Sequence, residues 1–579
     1  MIFRPQFTEG EGLKEYPRPQ FLRDSYIPLN GIWDYAITTS PQTPNKYDGK
    51  INVPYSPESP LSGADRGPSA REYLHYRTYF CIPQGFNRGK VIINFGACDQ
   101  CCTVIINGKE VGGHEGGYLP FSFDITDCLA SGENELCVIV SDDAASHIYG
   151  RGKQSYNAGG IWYTAVSGIW QSVWLESVHN VHLTGIKLVP DALGGKLAVT
   201  CEASDKNASA DIAVYDGEEV VAKVCGVKSG QQCMLDVSRC KPWSPEDPQL
   251  YPIVVTCGQD KVQSYFGLRT FGTAEVDGRR CFTLNGKPVY HNGLLDQGYW
   301  GKGIYTPECN REMYDCLSKV KELGFNMLRK HIKVEPLLWY YYCDILGILV
   351  WQDMVNGGAP YSKLRINLCP FIDLHLNDMN FKSMGRDDAR SRAQYMAEAE
   401  GTVHTLFNCV SLCLWTPFNE GWGQFDALGV CERLRSIDPT RLFDHASGWQ
   451  DKGGGDVCSK HIYFRKLRPK NDGKRVLAVT EFGGYACAEG NKKTFSYRNF
   501  STSAAYAAAL EKLYFKEVVP LITSRGLAAT VYTQLCDVEQ EVNGIFTSDW
   551  RCKVGKEQFR RINDAVYAAF NKAFCKNSD

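Results

Sequence analysis

The chain of 579 residues lacks an excess of either charge: 63 Lys and Arg stand against 65 Asp and Glu, a formal charge of −2. Nucleic-acid binders carry a basic excess or stripe, so this balance argues against a polyanion partner. No apolar run approaches the roughly 18 residues of a membrane-spanning helix. The opening Met-Ile-Phe-Arg-Pro-Gln-Phe has no basic start followed by an apolar stretch, the order that marks a secretion signal. The expectation is a cytoplasmic protein with neither nucleic acid nor membrane as partner. Long helical periodicity is missing from the first 180 residues. Gly150-Arg151-Gly152 is too short for a phosphate-binding loop, and no His-x-His pair suggests a metal-dependent hydrolase.

Cysteine is not scarce. The 24 cysteines are scattered through apolar runs, as with Cys343, Cys413 and Cys431, which suits reduced packing residues rather than a disulfide framework. The cluster Cys98-x-x-Cys101-Cys102 has no second ligand pair nearby, so no metal site is expected there; no cofactor is expected, and the residues leave a metal dependence open. Apolar residues at 44% and charged residues at 22% describe an ordinary globular protein. Its length calls for two to four domains.

Residues 1–180 alternate apolar and polar between Gly, Pro and Asp clusters, and Asn107-Gly108 is a hairpin turn signal. A jelly-roll β-sandwich follows from that texture. Residues 181–271 repeat it over a length that suits an immunoglobulin-like sandwich. Beyond about 272 strands and helices alternate. Strand-like runs begin near residues 289, 325, 347, 412, 442, 460, 476 and 529, and the helical stretches include 336–346, 388–407, 425–437, 504–521 and 559–574. Pro307 suits the first turn of another. Eight such repeats over 272–579 predict a (β/α)8 barrel, whose functional groups lie at the C-terminal strand ends.

Two strand ends stand out. The apolar run Leu-Cys-Leu-Trp-Thr at 412–416 stops at Pro417 and delivers Asn419 and Glu420; the run at 476–480 delivers Glu481 to Phe-Gly-Gly. Paired carboxylates are what glycosidic bond cleavage needs, one protonated and one ionised. Strands four and seven face one another across such a barrel. Glu420 is assigned as acid/base, because Trp415, Trp422 and neighbouring apolar residues would desolvate it and raise its pKa. Glu481 is then the nucleophile. Asn419 is placed to meet the sugar 2-hydroxyl and Tyr463 to donate to the nucleophile; Asp296, His331 and Trp449 complete the substrate-binding set. Trp162, Tyr163 and Trp170 read as core or interface aromatics rather than a sugar platform.

These stretches together resemble glycoside hydrolase family 2, the β-galactosidase, β-glucuronidase and β-mannosidase group. The resemblance runs through the segments 168–176, 285–289, 323–331, 347–353, 415–420 and 480–483. It implies a jelly roll, an immunoglobulin-like sandwich and a catalytic barrel, with retaining hydrolysis by Glu420 and Glu481. Two departures bear on the substrate. The family's Arg-x-Ser-His-Tyr-Pro motif is here Arg329-Lys-His-Ile-Lys-Val-Glu-Pro336. Members that bind uronates carry Asn-x-Lys before a Gly-Ile-Phe stretch, whereas this chain has Glu541-Val-Asn543. An anionic sugar is disfavoured on that ground. The expectation is therefore a retaining exo-β-glycosidase on a terminal neutral sugar, with a β-D-galactoside first. The alternatives are β-glucuronidase, β-mannosidase, arabinosidase, or a carbohydrate-binding protein without catalysis. The expected partners are a glycoside substrate and a second copy of the chain.

Overall fold

The computed structural model describes residues 7, 13–360, 376–487 and 494–575. Residues 13–178 fold as two facing β-sheets. The six-stranded sheet runs in the order Gly49–Val53, Gly31–Thr38, Tyr73–Cys81, Glu133–Ser141, Cys101–Ile106 and Lys109–Glu115. The smaller sheet centres on Val173–Val178 paired with Lys90–Phe95. Alternate residues of both sheets, among them Trp33, Val104, Val138, Ile93 and Leu175, fill the space between them. Asn107 and Gly108 both adopt positive φ, as a two-residue hairpin turn requires. Trp170 and Tyr163 are fully buried. The Trp170 indole donates to the Gly117 carbonyl at 2.8 Å, and Thr306 of the barrel donates to the Trp170 carbonyl at 2.6 Å. These rings are part of the wall between sandwich and barrel.

A second sandwich packs the three strands Leu183–Asp191, Lys196–Ala203 and Gln232–Asp236 against a four-stranded sheet ending in Asp260–Phe266. Its core of Leu197, Ile212, Ile253 and Val262 is separate from the first. Trp243 leaves this sandwich for the barrel: its indole donates to the Asp344 carbonyl at 2.9 Å, and it is fully buried.

The barrel strands are β1 (His291–Asp296), β2 (Met327–Lys330), β3 (Leu349–Asp353), β4 (Leu412–Thr416), β5 (Leu442–Phe443), β6 (Val457–Ile462), β7 (Val476–Gly483) and β8 (Ala529–Thr533). They are parallel and pair in the order β5-β4-β3-β2-β1-β8-β7-β6. The ring is completed between β5 and β6 by the Asp456 amide donating to the Phe443 carbonyl at 2.7 Å. All eight are buried on both faces, which is why they read as continuous apolar runs.

Several boundaries differ from the sequence expectation. The run starting at 289 divides, because the Asn285-Gly286 turn pairs Lys287–Val289 with the preceding strand and β1 begins only at His291. Pro307 lies ahead of its helix, which starts at Asn310. The stretch 504–521 is not one uniform helix. It widens into a π turn over Tyr514–Val518, just before Pro520, which has no N–H to continue the α ladder. No helix among the described residues is long and apolar enough to cross a membrane.

Replacing Trp243 by Ala should cost about 3–5 kcal/mol, as for other buried aromatics. Trp243→Phe keeps the ring but loses the indole bond, and should cost about 1 kcal/mol. Denaturant unfolding of the two variants beside the parent chain measures both.

Candidate active site

Leaving buried polar groups unpaired is costly, so most of the polar side chains at the C-terminal rim of this barrel bind one another, Thr416 Oγ1 and Gln534 Nε2 being exceptions. Arg329, at the end of β2, is the hub. Its Nε donates to both Asp353 oxygens on β3, at 3.0 and 3.1 Å. Nη1 donates to Glu481 Oε1 at 3.2 Å and to the Thr480 carbonyl at 3.1 Å. Nη2 donates to Asn419 Oδ1 at 2.8 Å. A guanidinium has no acceptor, so the Asn419 oxygen must face it, and the amide N–H groups are left for another partner.

Glu420 follows Asn419 in the left-handed region, with φ of +52°, held there by its amide donating to the Ser447 carbonyl at 2.9 Å. Its Oε1 lies 2.8 Å from Nδ1 of His461, whose Nε2 lies 3.6 Å from Glu481 Oε1. Single ligating atoms of Glu420, His461 and Glu481 fall within 4.8 Å of one another. On the far side of Glu481, the Tyr463 hydroxyl donates to Oε2 and also meets Thr533 Oγ1 at 3.1 Å. The Tyr463 ring is stacked on Tyr497 with centroids 3.8 Å apart.

The two carboxyls have unlike surroundings. Burial pushes Glu420 up to about 7, against the pull of Lys153 and Arg329. Burial and the neighbouring Glu420 raise Glu481, while Arg329 and the Tyr463 hydroxyl pull it back. Burial holds His461 down at about 4 and His331 at about 3, so both imidazoles are neutral at pH 7. Burial raises the Asp353 carboxyl too, yet Arg329 and the His331 bond outweigh it and leave it below the ordinary range.

Of the residues singled out in the sequence, Asn419, Glu420, Tyr463 and Glu481 converge in this network. His331 joins it through Asp353, at 2.8 Å. Asp296 stands apart: it is bound to Lys330 Nζ at 2.6 Å and to the Gly298 amide at 2.8 Å, within a buried cluster that includes Glu335. Trp449 is half-buried on the turn that carries Ser447. Trp415 does not line Glu420, because its indole turns outward to Asp438 at the end of the helix Ala427–Ile437, at 2.9 Å. Trp422 packs on Trp162 of the first sandwich, centroids 5.4 Å apart.

Two residues escaped the sequence reading. His461 sits two positions before Tyr463, and the period of two along a strand was the signal that it shares the same face. Lys153 comes from the sandwich loop that starts with Gly150-Arg-Gly152. Arg151 and Gly152 donate to the Asn356 carbonyl at 2.8 and 3.0 Å, and a Cβ on Gly152 would lie 2.8 Å from the Ile332 oxygen. The glycines mark this close approach, not a phosphate site. Lys153 lies 3.8 Å from Glu541, which also accepts from the Tyr163 hydroxyl and from Asn543.

The sequence matches three family descriptions in order: "Glycosyl hydrolases family 2, sugar binding domain" over 40–177, "Glycosyl hydrolases family 2" over 181–269, and "Glycosyl hydrolases family 2, TIM barrel domain" over 275–474. It is 26% identical over 433 residues to a β-galactosidase of Halalkalibacterium halodurans, covering 70% of this chain and 40% of that protein. A putative β-glucuronidase of Formosa agariphila is 26% identical over 336 residues, covering 55% and 39%. The chain thus spans about two fifths of the length of these curated relatives. Among solved structures, a β-glucuronidase of an uncultured Clostridium superposes with a TM-score of 0.74 at 16% identity, covering 93% of this chain and 97% of that one.

Arg329→Met should destabilise the fold by about 3–5 kcal/mol, since it leaves buried carboxylates without their cation. Asp353 has a depressed pKa, so the stability it gains from Arg329 is present above the carboxylate range and lost on acidification. The deficit of the variant should therefore be largest near neutral pH and shrink as the pH falls, which unfolding curves at several pH values would measure.

Proposed function

The chain belongs to glycosyl hydrolase family 2, and from that premise we propose that it is a retaining exo-β-glycosidase acting on a terminal non-reducing sugar, with a β-D-galactoside as substrate. The observation that carries the mechanism is the separation of at most 4.8 Å between ligating oxygens of Glu420 and Glu481. Retaining enzymes hold their carboxyls about 5–5.5 Å apart, while inverting ones leave about 6.5–9.5 Å for a water.

In the first step Glu481 attacks the anomeric carbon and forms a glycosyl ester. The C–O bond to the aglycone breaks, and Glu420 passes its proton to the departing oxygen. In the second step Glu420, now a carboxylate, takes a proton from water, whose oxygen displaces Glu481 from the sugar. A pKa of about 7 suits a group that must give and regain a proton in each turnover. Arg329 and Tyr463 favour the ionised form of Glu481. Asn419, its oxygen committed to Arg329, has N–H groups to offer a sugar 2-hydroxyl. Lys153 and the loop 150–153 wall the rim, which supports a pocket for a single terminal sugar rather than an open cleft.

A neutral sugar is supported by Glu541, a buried carboxylate in the position where uronate-binding members carry their asparagine. Lys153 favours a second reading, a uronide, because it supplies a cation close to the same place. The names of the relatives include both activities.

Glu481→Gln should abolish turnover without unfolding the chain. Glu420→Ala should lose about 10²–10⁴-fold on substrates that need protonation and regain rate with azide, giving a β-glycosyl azide. In the parent chain kcat/KM should fall as the pH rises through about 7, where Glu420 loses its proton. Full activity in both variants would sink the assignment.

A panel of nitrophenyl glycosides identifies the sugar, and the β-galactoside should be hydrolysed fastest. Preference for a β-glucuronide or β-galacturonide, lost in Lys153→Met, would instead establish the uronide reading.

A further inference from the structure

His461 has no task in the reading above, yet it touches both proposed catalytic carboxylates. It lies near the end of β6 with its side chain fully buried. Nδ1 is 2.8 Å from Glu420 Oε1. Nε2 is 3.4 Å from Arg329 Nη1 and 3.2 Å from Ser447 Oγ. The ring cannot turn away, because the Gly448 backbone lies flat against it. A Cβ at Gly448 would come within 2.5 Å of ring atoms Cγ and Nδ1.

These contacts select a tautomer. A guanidinium only donates, so Nε2 must accept from Arg329. The imidazole is neutral and has a single N–H, which is then on Nδ1 and points at Glu420 Oε1. In a protonated carboxyl the carbonyl oxygen is the stronger acceptor, so the oxygen held along that line is the poorer place for the acidic proton. The proton of Glu420 is left to Oε2.

We propose that His461 is a positioning residue for the acid/base: its Nδ1–H holds Glu420 Oε1, so that Oε2 carries the proton delivered to the leaving oxygen. The inference rests on the glycosidase reading above. The same N–H stabilises the Glu420 carboxylate that forms once the proton has left. The other charged or titratable groups facing Glu420 are Lys153 from the sandwich, Arg329 on β2, Tyr463 after β6, Glu481 on β7, Tyr497, and Glu541 after β8. Replacing His461 also removes an acceptor from Arg329 and a neighbour of Glu481, which is why the test reads leaving-group dependence beside the pH limb.

The test compares His461→Phe and His461→Asn on two aryl glycosides of the sugar that the parent enzyme hydrolyses. Phenol needs a proton to leave, and 2,4-dinitrophenol does not. His461→Phe should lose about 10- to 100-fold in kcat/KM on the phenyl glycoside and little on the dinitrophenyl one, within the range of general acid catalysis. Its basic pH limb should move up, because a donor to the ionised Glu420 is gone. His461→Asn, whose amide can occupy the Nδ1 position, should restore both the limb and most of the rate. Should His461→Phe fail to fold, His461→Gln replaces it, since its amide reaches the Nε2 position instead and should not restore the limb. Equal losses on both glycosides with an unmoved limb, or no loss at all, overturn the proposal. A parent chain that hydrolyses no glycoside overturns the glycosidase reading, and this inference with it.

Discussion

One buried guanidinium constrains the barrel mouth. Arg329 is fully excluded from solvent, and its fork reaches Asp353 on β3, Asn419 after β4 and Glu481 on β7. A charge in such a place is tolerated only when it is both paired and hydrogen-bonded. Each partner is therefore as fixed as the arginine. Lysine would not serve, because a point charge with three rotatable donors cannot hold three strands at set angles. The consequence reaches beyond the pairs themselves. The orientation of the Asn419 amide, the His461 tautomer and one oxygen of Glu481 all follow from the fact that a guanidinium can donate and cannot accept.

The sandwich is part of this mouth. Its loop at 150–153 is bonded to the barrel loop at 356–358 through main-chain groups, with two glycines allowing the approach. Arg151 adds a bond from Nη1 to the Gly358 carbonyl at 2.7 Å. Lys153 and Tyr163 then meet Glu541, which arrives from the segment after β8. A barrel expressed alone would expose Glu541 and would lose Lys153, a cation that pulls on Glu420. That dependence is a physical reason for the first sandwich and the barrel to form one unit.

The barrel was legible because parallel strands buried on both faces read as unbroken apolar runs, most of them followed by a helix-length amphipathic stretch, although among the described residues no helix separates β5 from β6 or β6 from β7. The places of Glu420 and Glu481 at the barrel rim were legible because each ends such a run at a glycine-rich stop. The length of β5 was not, since Asp444 and His445 continue its composition while the chain already turns toward Ser447. Arg329 was visible as a letter and invisible as a hub: nothing local says which distant strands its fork will reach. Asp296 shows the converse. It ends β1 as expected, but Lys330, next to Arg329 in the chain, engages it in a separate buried ion cluster. Sequence places a residue on the rim; only packing decides which neighbour takes its charge.

The division of labour between the two glutamates can be argued from the same contacts. Two carboxyls within 4.8 Å of one another in a buried site resist carrying two negative charges, and burial raises both. One proton is therefore retained near neutral pH, and the surroundings decide its place. Glu481 has a permanent cation on one oxygen and a phenol donor on the other, which together favour the anion. Glu420 has a neutral imidazole as its direct hydrogen-bond partner, with Lys153 and Arg329 acting from further off. The proton is better placed on Glu420. The proposed assignment of acid to the fourth strand and nucleophile to the seventh is thus supported by which carboxyl the arginine touches.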